Sequence, residues 1–307
     1  MRSHTGATPV MLVIGRNGQI GFELCRSLST LGHVIGLGRT DCDLANPSSI
    51  RQAVKSIRPD VIVNAAAYTA VDRAEMDADT AFAVNGVAPG IIAETAKGLG
   101  SLLVHYSTDY VFDGFKPSPY VEADEPRPLS VYGRSKLAGE NAIVATGAAA
   151  IMLRTGWVAS ARGTNFAKTI LALASERSRF QVVSDQHGAP TTASVVADTT
   201  AQIVARYWRH GRRDQFQCGL YHLSAAGQTT WHAYASEIVR YAASKGVSLK
   251  ATPSSIEPIP ASMYAALASR PSNSCLDTHK LREVFGVYLP HWRECIHHLL
   301  DQIIFDL

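Results

Sequence analysis

Tyr132 and Lys136 are the residues whose types and spacing most directly indicate chemistry. On a helix they stand four positions apart, so their side chains lie on the same face. A lysine ammonium beside a tyrosine stabilises the phenolate and brings a pKa that is ordinarily about 10 closer to neutral pH. A tyrosine in that state can pass its proton to a carbonyl oxygen, which is half of the reduction of a ketone.

The chain contains a second pair with the same spacing, Tyr241 and Lys245. Tyr241 follows Trp231, Tyr234 and Ile238 at helical intervals, and this pattern is typical of a packed apolar stripe. We therefore interpret the second pair as structural. The elements around Tyr132 must decide whether the first pair is chemical.

A glycine-rich turn comes early in the chain. An apolar run at residues 10–14 predicts a buried parallel strand, and a helical pattern follows the turn to about residue 31. Glycines between a strand and a helix let the backbone approach a pyrophosphate at the helix amino terminus. An ordinary βα turn is the alternative interpretation. The cofactor-binding residues predicted here are Gly15, Asn17, Gly18, Gln19, Ile20 and Gly21.

The second predicted strand, residues 33–37, ends at Gly38 and Arg39. Sites for NAD usually carry an acidic residue at this place, whereas an arginine suits the 2′-phosphate of NADP. We therefore predict NADPH as the cofactor, with NADH as the alternative and a solvated surface arginine as the structural interpretation. Asp43 and Leu44 follow at a position suited to the adenine.

Two further strands are predicted at residues 60–64 and 101–106. The segment after the first of them is rich in small residues, which leave room for a flat cofactor at the carboxyl edge of the sheet. We assign to the cofactor Ala65, Ala66, Ala67, Tyr68 and Thr69. Thr108 follows the second strand, and its hydroxyl can hydrogen-bond a substrate carbonyl.

Strands alternate with helical patterns up to residue 155, which predicts an α/β fold with a doubly wound, Rossmann-like parallel sheet. A chain of 307 residues exceeds the usual single core, so a smaller C-terminal substrate-binding lobe is also expected. The predicted domains are a flexible leader at 1–9, an NADP(H)-binding domain at 10–155 completed by parts of 190–225, and the lobe at 156–189 and 226–307.

Composition narrows the possible partners. A net charge of +3 without a dense basic run argues against nucleic acid. No apolar run approaches the roughly 20 residues of a membrane span, and residues 1–9 lack the apolar region of a signal peptide. The five cysteines are scattered without metal-ligand spacing. We therefore expect reduced thiols in the cytoplasm, and neither a nucleic-acid nor a membrane partner.

These residues in this order resemble the extended short-chain dehydrogenase/reductase superfamily, and more narrowly the dTDP-4-dehydrorhamnose reductase family. The resemblance covers about residues 10–304. Its most specific segments read NAAAYTAVD at 64–72, STDYVF at 107–112 and YGRSKLAGE at 132–140. Later matches lie at 156–158, 165–169, 185–191 and 270–274.

The resemblance implies that NADPH delivers hydride to the C4 ketone of dTDP-4-dehydro-β-L-rhamnose. Tyr132 would donate the proton, Lys136 would hold the nicotinamide ribose and lower the pKa of the tyrosine, and Thr108 would orient the ketone. Tyr132 and Lys136 would both contact the cofactor as well. The substrate-binding residues it implies are Val71, Thr108, Asp109, Tyr110, Trp157, Asn165 and Arg270. Of these, Val71, Tyr110 and Trp157 would pack on the deoxysugar, while Asn165 and Arg270 would face the diphosphate, which an arginine fork suits.

One departure from the family concerns oligomerisation. Some members dimerise around magnesium held by glutamates; Glu23 matches one of them, but Ser194 and Gln302 replace the others. Because magnesium prefers carboxylate oxygens, we predict no metal site, and a monomer or a weak homodimer without a metal bridge.

Several alternative functions stay open. The sugar-nucleotide 4,6-dehydratases place a glutamate after the aspartate, whereas Tyr110 follows Asp109 in this chain. Epimerases share the tyrosine and lysine, and another nucleotide-linked 4-keto-deoxysugar would suit the same residues. A non-catalytic NADP-binding protein is the alternative from a different class, as in the regulatory β subunit of methionine adenosyltransferase. The intact Thr108, Tyr132 and Lys136 argue for chemistry.

Overall fold

The computed structural model describes residues 8–209 and 215–304. Residues 1–7 of the predicted leader lie outside the described residues. The strands are β1 (Val10–Ile14), β2 (His33–Leu37), β3 (Val61–Asn64), β4 (Leu102–Thr108), β5 (Ala150–Thr155), β6 (Val158–Ala159), β7 (Phe180–Val183), β8 (His187–Gly188), β9 (Thr191–Thr192), β10 (Gly219–His222), β11 (Thr229–Thr230) and β12 (Ile256–Ile259).

The main sheet has six strands in the order β2-β1-β3-β4-β5-β10. Every neighbouring pair in this sheet is parallel. Parallel strands need crossover connections, and helices supply them on both faces. The predicted α/β fold with a doubly wound parallel sheet is therefore confirmed.

The helices begin and end at recognisable signals. Asn46 caps the helix that starts at Pro47 by accepting from two backbone N–H groups, and Ser130 caps the Tyr132 helix by accepting from Gly133 N. The helices are α1 (Gln19–Leu28), α2 (Pro47–Ile57), α3 (Val71–Ala74), α4 (Ala78–Phe82), α5 (Ala88–Leu99), α6 (Val131–Thr146), α7 (Phe166–Glu176), α8 (Ala193–Arg209), α9 (Trp231–Ser244), α10 (His279–Phe285) and α11 (Trp292–Ile304).

A π-helical turn, Ala83–Val87, joins α4 to α5. The amino-acid pattern predicts one helix there, at about residues 80–98. Pro89 has no N–H to give to the carbonyl of Asn85, so the regular hydrogen-bond ladder is interrupted. Gly139 of α6 approaches that carbonyl, since a Cβ at Gly139 would lie 2.1 Å from the Asn85 oxygen. The widened turn directs Asn85 into the protein, where it is 1% exposed.

Apolar side chains cover both faces of the main sheet. Along β1, Met11 and Val13 belong to one core, while Leu12 and Ile14 belong to the other, because successive side chains in a strand alternate. The first core contains residues of α1, α8 and α10, and the second contains residues of α2, α5 and α6.

A third core lies apart from the main sheet, among α7, α9 and α11. Short strand pairs accompany it, namely β6 with β9, β7 with β12 and β8 with β11. Tyr234 and Ile238 of α9 are buried in this core, which confirms the predicted apolar stripe. The division into domains stays a prediction. Among the described residues no helix is both long and apolar enough to cross a bilayer.

Candidate active site

A cleft of about 930 Å³ opens at the carboxyl ends of β1, β3, β4 and β5. The chain leaves β1 towards β2 on one side and later returns to β3 on the other, so the cleft lies at the switch point of the sheet. All predicted site residues except Gly21 and Arg270 line it. The lining residues among them are Gly15, Asn17, Gly18, Gln19, Ile20, Arg39, Asp43, Leu44, Ala65, Ala66, Ala67, Tyr68, Thr69, Val71, Thr108, Asp109, Tyr110, Tyr132, Lys136, Trp157 and Asn165.

The glycine turn between β1 and α1 is shaped by close backbone contacts. Gly15 has φ +93°, and a Cβ there would lie 2.7 Å from Ala66 N. A Cβ on Gly21 would lie 2.0 Å from the Gly15 oxygen, so Gly21 seats the helix on the turn although it does not line the cleft. Helix α1 begins at Gln19 without a side-chain cap. Its first N–H groups are thus available to an anion such as a pyrophosphate.

The end of β2 lacks a carboxylate at the position that NAD sites usually use. A Cβ at Gly38 would lie 2.8 Å from the Asn17 side chain, so a larger residue would have to displace Asn17. Arg39 is exposed, lines the cleft and has no ion pair with any residue that the structure describes. This leaves its guanidinium available for a phosphate.

The loop after β3 is tied to the π-helical turn by Asn85. The Asn85 side chain accepts from Tyr68 N at 2.8 Å and donates to Tyr68 O at 2.9 Å and to Ser135 Oγ at 3.0 Å. One amide therefore joins the cofactor loop to the helix that carries Tyr132 and Lys136. Nothing in the sequence indicates this role of Asn85, because a polar residue inside a helix pattern normally faces solvent.

Tyr132 is half-buried near the amino terminus of α6. Its ring meets that of Tyr110 edge-on, with centroids 6.1 Å apart, and its hydroxyl lies beside that of Thr108. Burial raises the pKa of Tyr132 to about 12, although the neighbouring Thr108 hydroxyl opposes this shift. Lys136 is expected from the sequence to lower the pKa of Tyr132, but in this structure the pKa of Tyr132 is raised.

Thr108 and Asp109 form a buried polar pair at the end of β4. Thr108 Oγ1 donates to Asp109 Oδ1 at 3.0 Å and accepts from Tyr110 N at 3.1 Å. Burial raises the pKa of Asp109 to about 6. Gly156 makes room for this carboxylate, because a Cβ at Gly156 would lie 2.2 Å from Asp109 Oδ2.

Lys136 is 2% exposed and points towards β4. Its Nζ donates to Tyr106 O at 2.6 Å and lies 3.4 Å from His105 Nε2. Burial lowers the pKa of Lys136 to about 8, because the charged form loses hydration. Lys136 thus lies under the cleft, and its pKa is closer to neutral pH than that of an exposed lysine.

Two stacked indoles form one wall of the cleft. The rings of Trp157 and Trp231 are 3.4 Å apart at their centroids and 6° from parallel. Trp157 has φ +50°, in the left-handed region, and its ring fills the space that a side chain at Gly188 would need. The helical pattern around Trp231 predicts a place in an apolar core and does not indicate that Trp231 lines the cleft. The pairing of β8 with β11 places Trp231, which follows β11, close to Gly188, against which the Trp157 ring packs.

Arg270 lies beside the cleft but does not line it. Its guanidinium donates to both oxygens of Asp72, at 2.7 and 3.2 Å, and Ala268 N donates to the same carboxylate at 3.0 Å. Asn165 does line the cleft, where it caps α7 and donates to Gln19 Oε1 at 3.0 Å. The diphosphate-binding roles of Arg270 and Asn165 stay predictions.

Two further hydroxyls in the cleft have no hydrogen-bond partner among the described residues. Ser107 Oγ and Thr155 Oγ1 are both buried, and both residues line the cleft. Buried polar atoms normally find a partner, so these hydroxyls indicate a polar ligand. Together with the uncapped helix terminus and the glycine turn, they fit a dinucleotide beside a carbonyl substrate.

No metal centre is found in residues 8–209 and 215–304, where no three histidine, cysteine or acidic side chains come together. Glu23 accepts from Arg26 at 2.9 Å, Ser194 donates to Thr192 at 3.0 Å, and Gln302 contacts His298 at 3.1 Å. The absence of a magnesium-bridged dimer stays a prediction.

The family model described as RmlD substrate binding domain matches residues 10–305. A dTDP-4-dehydrorhamnose reductase from Burkholderia thailandensis is 49% identical over 297 residues, which cover 95% of this chain and 99% of that protein. One from Shigella flexneri is 43% identical over 297 residues, which cover 95% of this chain and 97% of that protein.

The crystal structure of a dTDP-4-dehydrorhamnose reductase from Bacillus anthracis in complex with NADP has a TM-score of 0.87 with this structure at 30% identity. The match covers 98% of this chain and 100% of that one. Because these similarities run through nearly the full length of both partners, the chain belongs to the dTDP-4-dehydrorhamnose reductase family of the extended short-chain dehydrogenases/reductases.

Proposed function

We propose that this protein reduces the C4 ketone of dTDP-4-dehydro-β-L-rhamnose to dTDP-β-L-rhamnose with NADPH. The reaction belongs to dTDP-rhamnose synthesis, which supplies a precursor of cell-surface polysaccharide. One observation carries the proposal: Thr108, Tyr132 and Lys136 share a cleft with an uncapped helix terminus behind a glycine turn. A proton donor and a dinucleotide site around one space are what a ketone reductase requires.

The cofactor would be held from the glycine turn to Lys136. The N–H groups at the start of α1 would bind its pyrophosphate, Arg39 its 2′-phosphate, and Asp43 with Leu44 its adenine. The Bacillus anthracis relative holds NADP, which supports this assignment. When bound, NADPH supplies the hydride that forms the new C–H bond at C4.

Tyr132 would supply the proton that the reduced oxygen needs. Its hydroxyl O–H bond breaks as the O–H bond of the product alcohol forms, and the phenolate left behind takes up a proton before the next turnover. Thr108 would hold the ketone oxygen in reach of that hydroxyl, and Lys136 would bind the ribose and stabilise the phenolate. Much of the rate enhancement would come from placing these groups around one carbonyl.

The sugar nucleotide would lie between the sheet and the third core. Val71, Tyr110 and Trp157 would pack against the deoxysugar, with Asp109 held beside them by Thr108. Arg270 would face the diphosphate after exchanging its Asp72 carboxylate for phosphate oxygens, since both are bidentate acceptors for a guanidinium. The proposed lobe, residues 156–189 and 226–307, supplies Trp157, Asn165 and Arg270.

We place the protein in the cytoplasm as a monomer or weak homodimer that binds neither nucleic acid nor membrane. All five cysteines are unpaired, which supports a reducing compartment. Sedimentation equilibrium with and without magnesium tests the oligomeric state. We expect no change in mass on adding magnesium, and a dimer that forms only with the metal would contradict the proposal.

The activity is tested by mixing the protein, NADPH and the 4-keto-L-sugar nucleotide and following the absorbance of the reduced nicotinamide. We expect NADPH to be oxidised in proportion to the sugar added. Tight NADPH binding without turnover would support a non-catalytic regulatory protein instead. Faster turnover of a differently linked 4-keto-deoxysugar would keep the reaction type and change the substrate.

A further inference from the structure

Three buried polar side chains lie in a hydrogen-bonded row beneath the cleft, between β3, β4 and α6. Asn64 is 1% exposed, His105 is 1% exposed and Lys136 is 2% exposed. Asn64 and His105 face each other across neighbouring strands, where they are paired in register. The mechanism proposed above gives no task to Asn64 or to His105.

The hydrogen bonds of Asn64 determine which atoms donate and which accept along this row. Ala66 N donates to Asn64 Oδ1 at 3.3 Å, so the Asn64 amide nitrogen is the atom that faces His105, at 3.1 Å from Nδ1. An amide nitrogen only donates, so Nδ1 of the imidazole accepts. A neutral imidazole carries one proton, which must then be on Nε2. Burial holds the pKa of His105 well below its ordinary value, which keeps the ring neutral.

The proton on Nε2 points towards Lys136 Nζ at 3.4 Å. An ammonium offers three donors and no acceptor, whereas an uncharged amine has a lone pair that can accept from Nε2–H. The same Nζ donates to Tyr106 O on its other side, which either form can do. The arrangement therefore fits the amine form of Lys136.

The charged groups around Lys136 do not reverse this preference. Tyr132 and Glu140 are on the same helix, and Glu140 favours the ammonium. Arg154 of β5 holds both Glu140 oxygens, at 2.9 and 2.7 Å, and so compensates most of that negative charge. On β4 the titratable group facing Lys136 is His105. Asp109, directly after β4, acts on Tyr132 and is not among the groups that shift the pKa of Lys136.

We propose that Asn64 and His105 are positioning residues that set the protonation of Lys136: Asn64 fixes the Nε2–H tautomer of His105, and that N–H favours the amine form in the protein without cofactor. Lys136 then takes up a proton from solvent when an anion arrives beside it. That anion is the dinucleotide or the Tyr132 phenolate, so this second step, unlike the first, rests on the proposed function.

The tautomer is tested directly by two-bond ¹H–¹⁵N correlation spectra of the imidazole rings, in protein without any ligand. The His105 signals are assigned by their loss in His105→Gln. We expect the Nε2–H pattern, unchanged across roughly pH 6 to 9, because burial keeps the ring neutral. An Nδ1–H pattern, or a ring that titrates near its ordinary pKa, would overturn the proposal.

Asn64→Asp reverses the hydrogen-bond direction. A carboxylate accepts from Nδ1–H, so Nε2 becomes an acceptor for the Lys136 ammonium, and the lysine pKa should rise by about one unit or more. The measurement is the titration of the Lys136 ¹⁵Nζ signal, with Asn46→Asp as the matched control. Asn46 caps α2 on the surface, where aspartate caps equally well, so that variant should leave Lys136 unchanged. An unmoved Lys136 titration in Asn64→Asp would contradict the role of Asn64.

Proton uptake separates this inference from the proposed function. Calorimetry of NADPH binding in buffers of different ionisation enthalpy measures the protons bound per cofactor. Near pH 8 to 9 we expect uptake in the wild type and a clear reduction in Asn64→Asp. Equal uptake in both proteins would contradict the inference. If NADPH does not bind, the proposed function fails while the spectra still decide the tautomer.

Discussion

Tyr132 with Lys136 and Tyr241 with Lys245 share the same two residue types and the same spacing, but their surroundings differ. Lys136 is buried under the sheet edge, whereas the Lys245 side chain is 43% exposed at the end of α9. Tyr132 faces a cleft. Tyr241 instead stacks on His297 with ring centroids 3.9 Å apart, in a contact between α9 and α11.

The partners of the two lysines complete the contrast. Asp301 accepts from Tyr241 at 2.9 Å and forms an ion pair with Lys245 at 2.8 Å, which raises the pKa of Lys245. Burial lowers the pKa of Lys136. One lysine is therefore locked as a cation, while the other can change its charge near neutral pH. Spacing brings two side chains to one helix face, but burial and partners decide whether they can exchange protons.

The largest expected effect is that of Tyr132→Phe, which removes the proposed proton donor and leaves the ring. We expect kcat to fall by about 10²–10⁴-fold, the usual contribution of a positioned acid. NADPH affinity, measured by fluorescence titration, should stay the same because the variant keeps the aromatic ring and loses only the hydroxyl. Normal turnover in this variant would remove the distinction between the two pairs.

The ion pairs that accompany each lysine offer the second test. Arg154 and Glu140 are both nearly inaccessible, so Arg154→Met leaves a buried carboxylate without its counter-charge. We expect a loss of about 3–5 kcal/mol in the free energy of unfolding, measured by urea denaturation. Lys245→Met breaks the exposed pair and should leave the unfolding midpoint unchanged. Equal unfolding midpoints for Arg154→Met and Lys245→Met would contradict the expectation that the buried ion pair matters more for stability than the exposed one.

Arg39→Ala tests the cofactor site that gives Tyr132 its context. We expect KM for NADPH to rise by about tenfold, since a charge-assisted contact to the 2′-phosphate is lost, with kcat and KM for NADH little changed. Arg51→Ala, an exposed arginine on α2 outside the cleft lining, is the matched control. A similar loss with both cofactors would argue against NADPH preference at this position.

Tyr241→Phe should have the smallest effect. The variant loses one hydrogen bond to Asp301 and keeps the ring that stacks on His297. We expect kcat within a few-fold of the wild type in the same NADPH assay. A loss comparable to that of Tyr132→Phe would mean that α9 contributes to the chemistry.

Much of the fold could be predicted because its signals are local. Five strands of the main sheet coincide with apolar runs in the sequence. The turn after β1 has no room for a Cβ at Gly15 or Gly21, so its glycines could be recognised from the sequence. The π-helical turn could not be predicted in the same way. Its cause combines Pro89 with the approach of Gly139 from another helix, and only the folded chain brings these together.

The candidate site likewise contains residues that local sequence predicts and residues that only long-range contacts place. Gly15, Thr108 and Tyr132 stand directly after strands or within motifs, so their places could be read from the sequence. Trp231 and Ser107 could not, because their contribution depends on how β11 and β4 pair with strands far along the chain. Arg270 differs from both groups. Its motif predicts contact with a diphosphate, but its partner in this structure is the Asp72 carboxylate.

The left-handed backbone of Trp157 bears on the stability margin of the whole protein. A non-glycine residue held in that region costs about 1–3 kcal/mol. Globular proteins are typically stable by only about 5–15 kcal/mol. Keeping the Trp157 indole in the wall of the cleft therefore reduces the reserve against unfolding, so the shape of this wall is maintained with a smaller margin against heat.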